Sequence, residues 1–147
     1  FRNIYKKGDT IVGCHIPSDG PLKYEDVIAS LKMAYDFYPH LRVGGVLPIY
    51  CHSWLMYPPY AGRVFPEGSN LYKFLKLFEL VKSEVDEDYT DFFRIFSKDF
   101  CASELDSLPE NTSLRRNMKK FLADGNKMGT SFGFILFDGE KVITEQK

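Results

Sequence analysis

The sequence predicts an α+β domain in which helices pack on a mixed sheet, and three observations support this fold class. Stretches with apolar residues at a 3.6-residue spacing, typical of amphipathic helices, alternate with short runs typical of strands. The predicted order is hairpin, helix, strand, helix, strand, two helices and hairpin, which combines parallel and antiparallel connections. The 147 residues suit one hydrophobic core, and 16% of them are aromatic.

The first third of the chain predicts a hairpin, a helix and a buried strand. Residues 2–5 and 10–16 flank a glycine-containing turn, and a helix spans about residues 21–38 before Pro39 ends it. Residues 46–55 are nearly all apolar, as in a strand that is buried on both faces. A strand, a helix and a second strand in this order favour two parallel strands joined by a right-handed crossover.

The rest of the chain predicts five further elements. In order, they are a helix capped by Ser69 or Asn70, a strand at 79–85, a helix with Phe92, Phe93, Ile95 and Phe96, a helix capped by Thr112, and a hairpin of residues 132–137 and 141–144. Asp138-Gly139, between the last two strands, is typical of a two-residue hairpin turn.

Composition and charge argue against several classes of partner. The net charge is -1, so no overall field favours nucleic acid or an anionic membrane. No apolar run approaches the roughly 20 residues of a membrane span, and no signal peptide is visible. Three cysteines without a short-spaced pair predict no disulfide framework, which favours a cytoplasmic location. Because the chain begins with Phe1, we expect a preceding N-terminal domain of the same protein.

Three short motifs carry a family resemblance. They are CHIPSDGPL at residues 14–22, CHSWL at residues 51–55, which SNLYKF at residues 69–74 follows, and LPENTSLRR at residues 108–116. In this order they resemble the GNAT-like C-terminal domain of a family of bacterial acyltransferases. The resemblance extends from about residue 10 to residue 129.

The resemblance implies a GNAT-like acyl-CoA N-acyltransferase fold whose N-terminal part is absent from this chain. The strand ending at Pro17 would be the fourth strand of that fold, and residues 46–55 would be the fifth. In this fold the two parallel strands splay apart, and acyl-coenzyme A lies in the gap. The implied activity is transfer of an acyl group, such as acetyl from acetyl-CoA, to a small-molecule amine acceptor, with no metal.

The loop after the first parallel strand is the implied binding site for the coenzyme. The resemblance assigns cofactor binding to Ser18, Gly20 and Lys23. The chain departs here from the family's phosphate-binding loop, because Pro17 and Pro21 have no N–H to donate to a pyrophosphate. Three acidic residues also lie nearby, namely Asp19, Glu25 and Asp26.

His15 and His52 are the candidate bases, because each lies near the carboxyl end of a predicted parallel strand. A histidine titrates near neutral pH and could take the proton of an attacking amine. The alternative is that both are structural histidines. The resemblance makes Tyr72 the candidate acid for the departing thiolate, with Tyr57 and Tyr60 as loop alternatives, and the other reading of all three is a packing role.

Four further residues are expected to line a substrate pocket, namely Cys51, Ser53, Trp54 and Tyr57. Two other functions stay open beside the enzyme. One is a non-catalytic GNAT-like module that binds a ligand or a partner domain. The other is a thiol or metal site built on Cys14, Cys51 and the histidines, although neighbouring residues on a strand point to opposite faces and so offer few ligands to one metal.

Overall fold

A mixed sheet, with four strands among the residues described, organises the protein. The computed structural model describes residues 5–18 and 20–147. The strands are β1 (Val12–Gly13), β2 (Leu47–Ser53), β3 (Glu79–Val85) and β4 (Gly129–Phe137), in the spatial order β1-β2-β4-β3. β1 runs parallel to β2, whereas β4 runs antiparallel to both β2 and β3, so the predicted mixed sheet is confirmed.

β4 is the central strand, and its sequence shows why one sheet face is buried. Buried and half-buried residues alternate along all nine positions, because successive side chains of a strand point to opposite faces. The odd-numbered positions face the core, where Ile135 and Phe137 are completely buried. The even-numbered positions carry Phe132 and Phe134, which stay half-exposed on the other face.

Within the described residues, four α-helices accompany the sheet. They are α1 (Tyr24–Phe37), α2 (Asn70–Leu75), α3 (Phe92–Phe96) and α4 (Ser113–Ala123). The Ser69 hydroxyl accepts the Tyr72 backbone N–H at 3.2 Å, and the Thr112 hydroxyl accepts that of Arg115 at 3.1 Å. Ser69 and Thr112 are therefore the N-caps of α2 and α4, as their residue types predict. None of the described helices is long and apolar enough to cross a membrane.

An aromatic cluster centred on Tyr60 fills the core beside the carboxyl end of β2. The Tyr60 side chain is fully buried. Its ring centroid lies 5.1–6.2 Å from those of Trp54, Tyr57, Phe65 and Phe121. The cluster joins the chain that follows β2 to α4 and thereby fixes the wall of the site described below.

The predicted C-terminal hairpin forms only in part, because β2 and β3 already occupy most of both edges of β4. β2 pairs with β4 from Ser131 to Phe137, and β3 pairs with it from Gly129 to Phe134. Only a single bridge remains, between Phe137 and Val142. Asp138 begins the turn of this short hairpin, since its N–H donates to the Lys141 carbonyl at 3.2 Å and its carboxylate accepts the backbone N–H groups of Glu140 and Lys141 at 2.9 Å each.

The predicted N-terminal hairpin is only partly visible, since residues 2–4 lie outside the described residues. Its turn is present, because the Asp9 N–H donates to the Lys6 carbonyl at 3.0 Å and the Lys6 N–H donates to the Asp9 carboxylate at 2.8 Å. The strand that follows is much shorter than residues 10–16, since β1 comprises two residues.

Candidate functional site

β1 and β2 separate after a short paired segment. Gly13 pairs with Tyr50, and the Cys14 N–H donates to the Tyr50 carbonyl at 2.7 Å. Beyond Cys14, no backbone hydrogen bond joins the two strands among the residues that the structure describes. β2 nevertheless continues to Ser53, because β4 pairs with its other edge. The parallel strands therefore diverge at their carboxyl ends, where ligands bind in open α/β sheets.

A cavity of about 480 Å³ occupies the opening between the diverging strands. One side is formed by residues 14–16, and the floor is formed by residues 51–55. The remaining wall comes from the end of the sheet and the start of α3, namely Thr90, Asp91, Arg94 and Thr130. A volume of this size is typical of a site for a small molecule or for part of a cofactor.

Both predicted histidines line this first cavity. His15 and His52 each lie two residues beyond the last paired residues, Gly13 and Tyr50, and both are exposed. The His52 ring stacks on Phe132 of β4, with a centroid distance of 3.8 Å and an interplanar angle of 10°. Within the described part of the chain neither imidazole makes a side-chain hydrogen bond. The geometry thus leaves both rings accessible to a ligand in the cleft.

Cys14 and Cys51, for which the sequence left a thiol or metal site open, also line the first cavity. Since Gly13 pairs with Tyr50, Cys14 and Cys51 follow at facing positions of the two strands. A hydrogen bond with the Cys51 thiol lowers the pKa of Cys14, although burial opposes this shift. The same hydrogen bond and burial raise the pKa of Cys51 far above its usual range. Cys14 is therefore the more acidic thiol of the pair.

A second cavity, of about 550 Å³, adjoins the first. The two share four lining residues, namely Ile16, Trp54, Leu55 and Arg94. Ser18 and Gly20, the predicted cofactor-binding residues, line the second cavity together with the first residues of α2 and α4. Lys23 precedes α1 and does not line it, and Asp19 lies outside the described residues.

The substrate-pocket residues divide into two groups. Cys51, Ser53 and Trp54 line the first cavity, as predicted for a common pocket. The Ser53 hydroxyl accepts the Leu55 N–H at 3.1 Å, which turns the chain sharply after β2. Tyr57 lines neither cavity, because its ring packs edge-on against Tyr60 with centroids 5.1 Å apart.

Tyr72, the predicted acid, lies in a third cavity of about 310 Å³ with Tyr24, Lys76 and the C-terminal residues. The Lys76 ammonium lies 5.4 Å from the centre of the Tyr72 ring. Since α2 points this side chain away from the cleft, the structure does not bring Tyr72 together with the two histidines.

Arg94 is the site residue that the sequence analysis missed. It is the only lysine or arginine among the residues that line the two adjoining cavities. Its guanidinium donates to the Asp91 carboxylate at 2.8 Å and lies 5.0 Å from the centre of the Phe93 ring. A guanidinium held in this way can bind a phosphate or a carboxylate through its N–H donors. No cluster of three or more histidine, cysteine or acidic side chains suited to a metal occurs within residues 5–18 and 20–147.

A mixed sheet whose parallel strands diverge over a cleft defines the class, which is a GNAT-like fold. The profile of the GNAT-like C-terminal domain matches residues 2–135, and the chain belongs to that family. The family resemblance inferred from the three motifs is therefore confirmed, and so is the predicted fold class. None of the curated proteins that were compared matches the chain.

Solved acyltransferase structures share this architecture. An acyltransferase in complex with decanoyl-CoA and teicoplanin superposes with a TM-score of 0.70 at 24% identity, covering 85% of this chain and 40% of the other. An acyltransferase in complex with decanoyl-CoA gives a TM-score of 0.69 at 25% identity, over 85% and 39% of the two chains. The chain thus spans about 40% of the length of these acyltransferases.

Proposed function

We propose that this chain forms the acyl-coenzyme A site of an acyltransferase that transfers the acyl group to an amine. The observation that carries the proposal is the cleft between β1 and β2, into which His15 and His52 both open. The similar solved structures support it, since they are acyltransferases in complex with decanoyl-CoA or octanoyl-CoA. Their ligands favour a medium-length acyl group beside the acetyl group expected from the sequence.

The two adjoining cavities suggest how the coenzyme would lie. In this proposal the thioester occupies the first cavity, and the pantetheine arm passes Trp54 and Leu55, which line both cavities. The phosphates would then lie in the second cavity near Ser18 and Gly20. Arg94 faces both cavities and would offer the phosphates the guanidinium N–H donors that its pair with Asp91 does not use.

The histidines would supply the base for the reaction. The neutral imidazole of His15 or His52 takes a proton from the acceptor amine, whose nitrogen attacks the thioester carbonyl. A new C–N bond forms, the C–S bond breaks, and the coenzyme leaves as a thiolate that takes up a proton. Because Tyr72 lies in a different cavity, this assignment does not require it.

The test is release of coenzyme A thiol from decanoyl-CoA in the presence of a panel of amines. His15→Ala and His52→Ala are compared with His40→Ala, an exposed histidine in the turn Pro39–Leu41 outside both cavities. Loss of a general base should lower kcat by about 10²–10⁴-fold. We expect that loss for one of the two cleft variants and no loss for His40→Ala. Full activity of both cleft variants would reject the proposed base.

The second candidate is a non-catalytic module that binds an acyl-coenzyme A or a similar ligand. The observation that favours it is the loop before α1, in which Pro17 and Pro21 lack N–H donors and Glu25 and Asp26 occupy the first helical turn. Calorimetric titration with decanoyl-CoA separates the candidates. If the protein binds decanoyl-CoA but releases no coenzyme A thiol with any amine, the result supports the non-catalytic module. If no heat of binding is measured at high micromolar decanoyl-CoA, both candidates are rejected.

A further inference from the structure

Cys14 and Cys51 form the most chemically distinctive pair of side chains outside the proposed acyl-transfer step. They occupy facing positions immediately after the last paired residues of β1 and β2. The Cys14 N–H bond to Tyr50, at 2.7 Å, holds the two backbones together at this level. Both residues line the first cavity, Cys51 is buried, and Cys14 is half-buried. A small reagent in the cleft can therefore reach the half-buried Cys14.

We propose that Cys14 and Cys51 are a thiol modification site, at which a reversible disulfide joins β1 to β2 at the base of the cleft. The geometry supports the bridge because hydrogen-bonded neighbouring strands lie about 4.8 Å apart. That spacing falls within the roughly 4.4–6.8 Å that a disulfide requires between α-carbons. The two side chains also share one direction, since facing residues of neighbouring strands point to the same side of a sheet.

The thiols differ in a way that assigns each a role. The hydrogen bond from the Cys51 thiol lowers the pKa of Cys14, which favours the thiolate form of the more accessible sulfur. Cys14 is therefore the attacking thiol, and the buried Cys51 is the resolving one.

The oxidant in this proposal is a low-molecular-weight disulfide such as oxidised glutathione. The Cys14 thiolate attacks one of its sulfurs, so that a mixed disulfide forms and one small thiolate leaves. Cys51 then loses its proton to solvent and attacks the Cys14 sulfur, which releases the second small thiolate. The two protein thiols are oxidised to a disulfide, and the small disulfide is reduced to two thiols.

Cys101 provides the matched control, because it is exposed and its sulfur lies 3.1 Å from the Ser103 hydroxyl, outside both adjoining cavities. Native protein is incubated with oxidised glutathione, and free thiols are then alkylated and mapped by mass spectrometry. We expect the three reduced cysteines to fall to one, Cys101, with a mass loss of about 2 Da for the internal bridge. Cys101→Ser should form the same bridge.

The single variants distinguish the two roles. Cys51→Ser should stop at a stable glutathione adduct on Cys14, whereas Cys14→Ser should leave Cys51 alkylatable only after unfolding. Dithiothreitol should restore the thiols of the wild-type protein. The proposal is overturned if wild-type Cys14 and Cys51 stay reduced at an oxidant concentration that modifies Cys101. A glutathione adduct on wild-type Cys14 that never resolves would overturn it as well.

Discussion

Replacing Tyr60 with phenylalanine tests how much the two hydrogen bonds between the Tyr60 hydroxyl and the Gly129 backbone stabilise the aromatic cluster beside the cleft. The Tyr60 hydroxyl accepts the Gly129 backbone N–H at 3.0 Å and donates to the Gly129 carbonyl at 3.4 Å. Tyr60→Phe keeps the ring and its contacts but removes this link between β4 and the chain after β2. The variant therefore isolates the hydrogen bonds from the packing.

The expected cost follows from the burial of the site. Tyr60 and Phe65 are almost fully buried, and Phe121 is 3% exposed, so water cannot easily replace the lost oxygen. A buried N–H that loses its partner costs about 1–3 kcal/mol. For a chain of about this length each kcal/mol shifts Tm by about 2–4 °C, so we expect roughly 4–8 °C for the middle of that range.

Thermal unfolding, followed by far-ultraviolet circular dichroism, measures the shift. Tyr35→Phe is the control, because its hydroxyl donates to the Gly45 carbonyl at 2.8 Å in an exposed position, where loss should cost about 0.5–1 kcal/mol. A Tyr60→Phe shift no larger than that of Tyr35→Phe would refute the reasoning.

The high-pH behaviour of the same variant adds a second readout. Burial, the largest cause, raises the pKa of Tyr60 above the ordinary value of 10.0. The unfolded chain therefore loses this proton first, and the contribution present below pH 10 is lost as the pH rises through the folded pKa. Wild-type protein should lose stability above pH 10 more steeply than Tyr60→Phe.

Two further predictions concern the strand and the turn around the site. Gly133→Ala should destabilise by about 1–3 kcal/mol in chemical denaturation, because its new methyl group would lie 2.8 Å from the Glu79 backbone oxygen, which cannot move freely. Gly129→Ala should cost less, since the methyl group meets the half-buried Tyr57 ring, which can rotate, and the reverse order would contradict this explanation. Backbone N–H groups of Lys141 and Glu140 hold the pKa of Asp138 below 3.8, so its contribution to stability is present above that pH and is lost as the pH falls through the folded value. Urea denaturation should therefore show Asp138→Ala to be less stable than wild type at pH 7, with a smaller difference at pH 3, and an unchanged difference would contradict the linkage.

The parts of the fold that the sequence predicted well are those in which local chemistry decides the outcome. Residues 79–85 form β3 over the predicted bounds, and Phe92–Phe96 form α3. Ser69 and Thr112 could be predicted as caps because each hydroxyl accepts a backbone N–H from the first turn of its own helix, an interaction that depends on local sequence alone. The last hairpin is shorter than predicted for the opposite reason, since strands distant in sequence fill most of both edges of β4.

The cleft itself was only partly predictable. The two Cys-His motifs marked its two strands, and the family resemblance predicted that these strands are parallel and splay apart. Arg94 gave no signal, because it reaches the site through the packing of α3 rather than through either motif. Tyr72 illustrates the converse, since the expected helix forms while its tyrosine lines another cavity. Helix position alone does not determine which face meets the ligand.

The shortness of β1 connects the fold to both proposals. A longer β1 would pair with all of β2 and close the opening, whereas pairing that stops at Gly13 leaves residues 14–16 free to turn away. Because the pairing ends there, Cys14 and Cys51 lie beside the last backbone hydrogen bond between the two strands. His15 and His52 each follow one residue later. Neighbouring side chains of a strand point to opposite faces, but Cys14, His15, Cys51 and His52 all line the first cavity because it occupies the opening where the two strands separate. The divergence of two strands thus presents two kinds of chemistry to a single cavity, and each can be tested by substituting one residue of its pair.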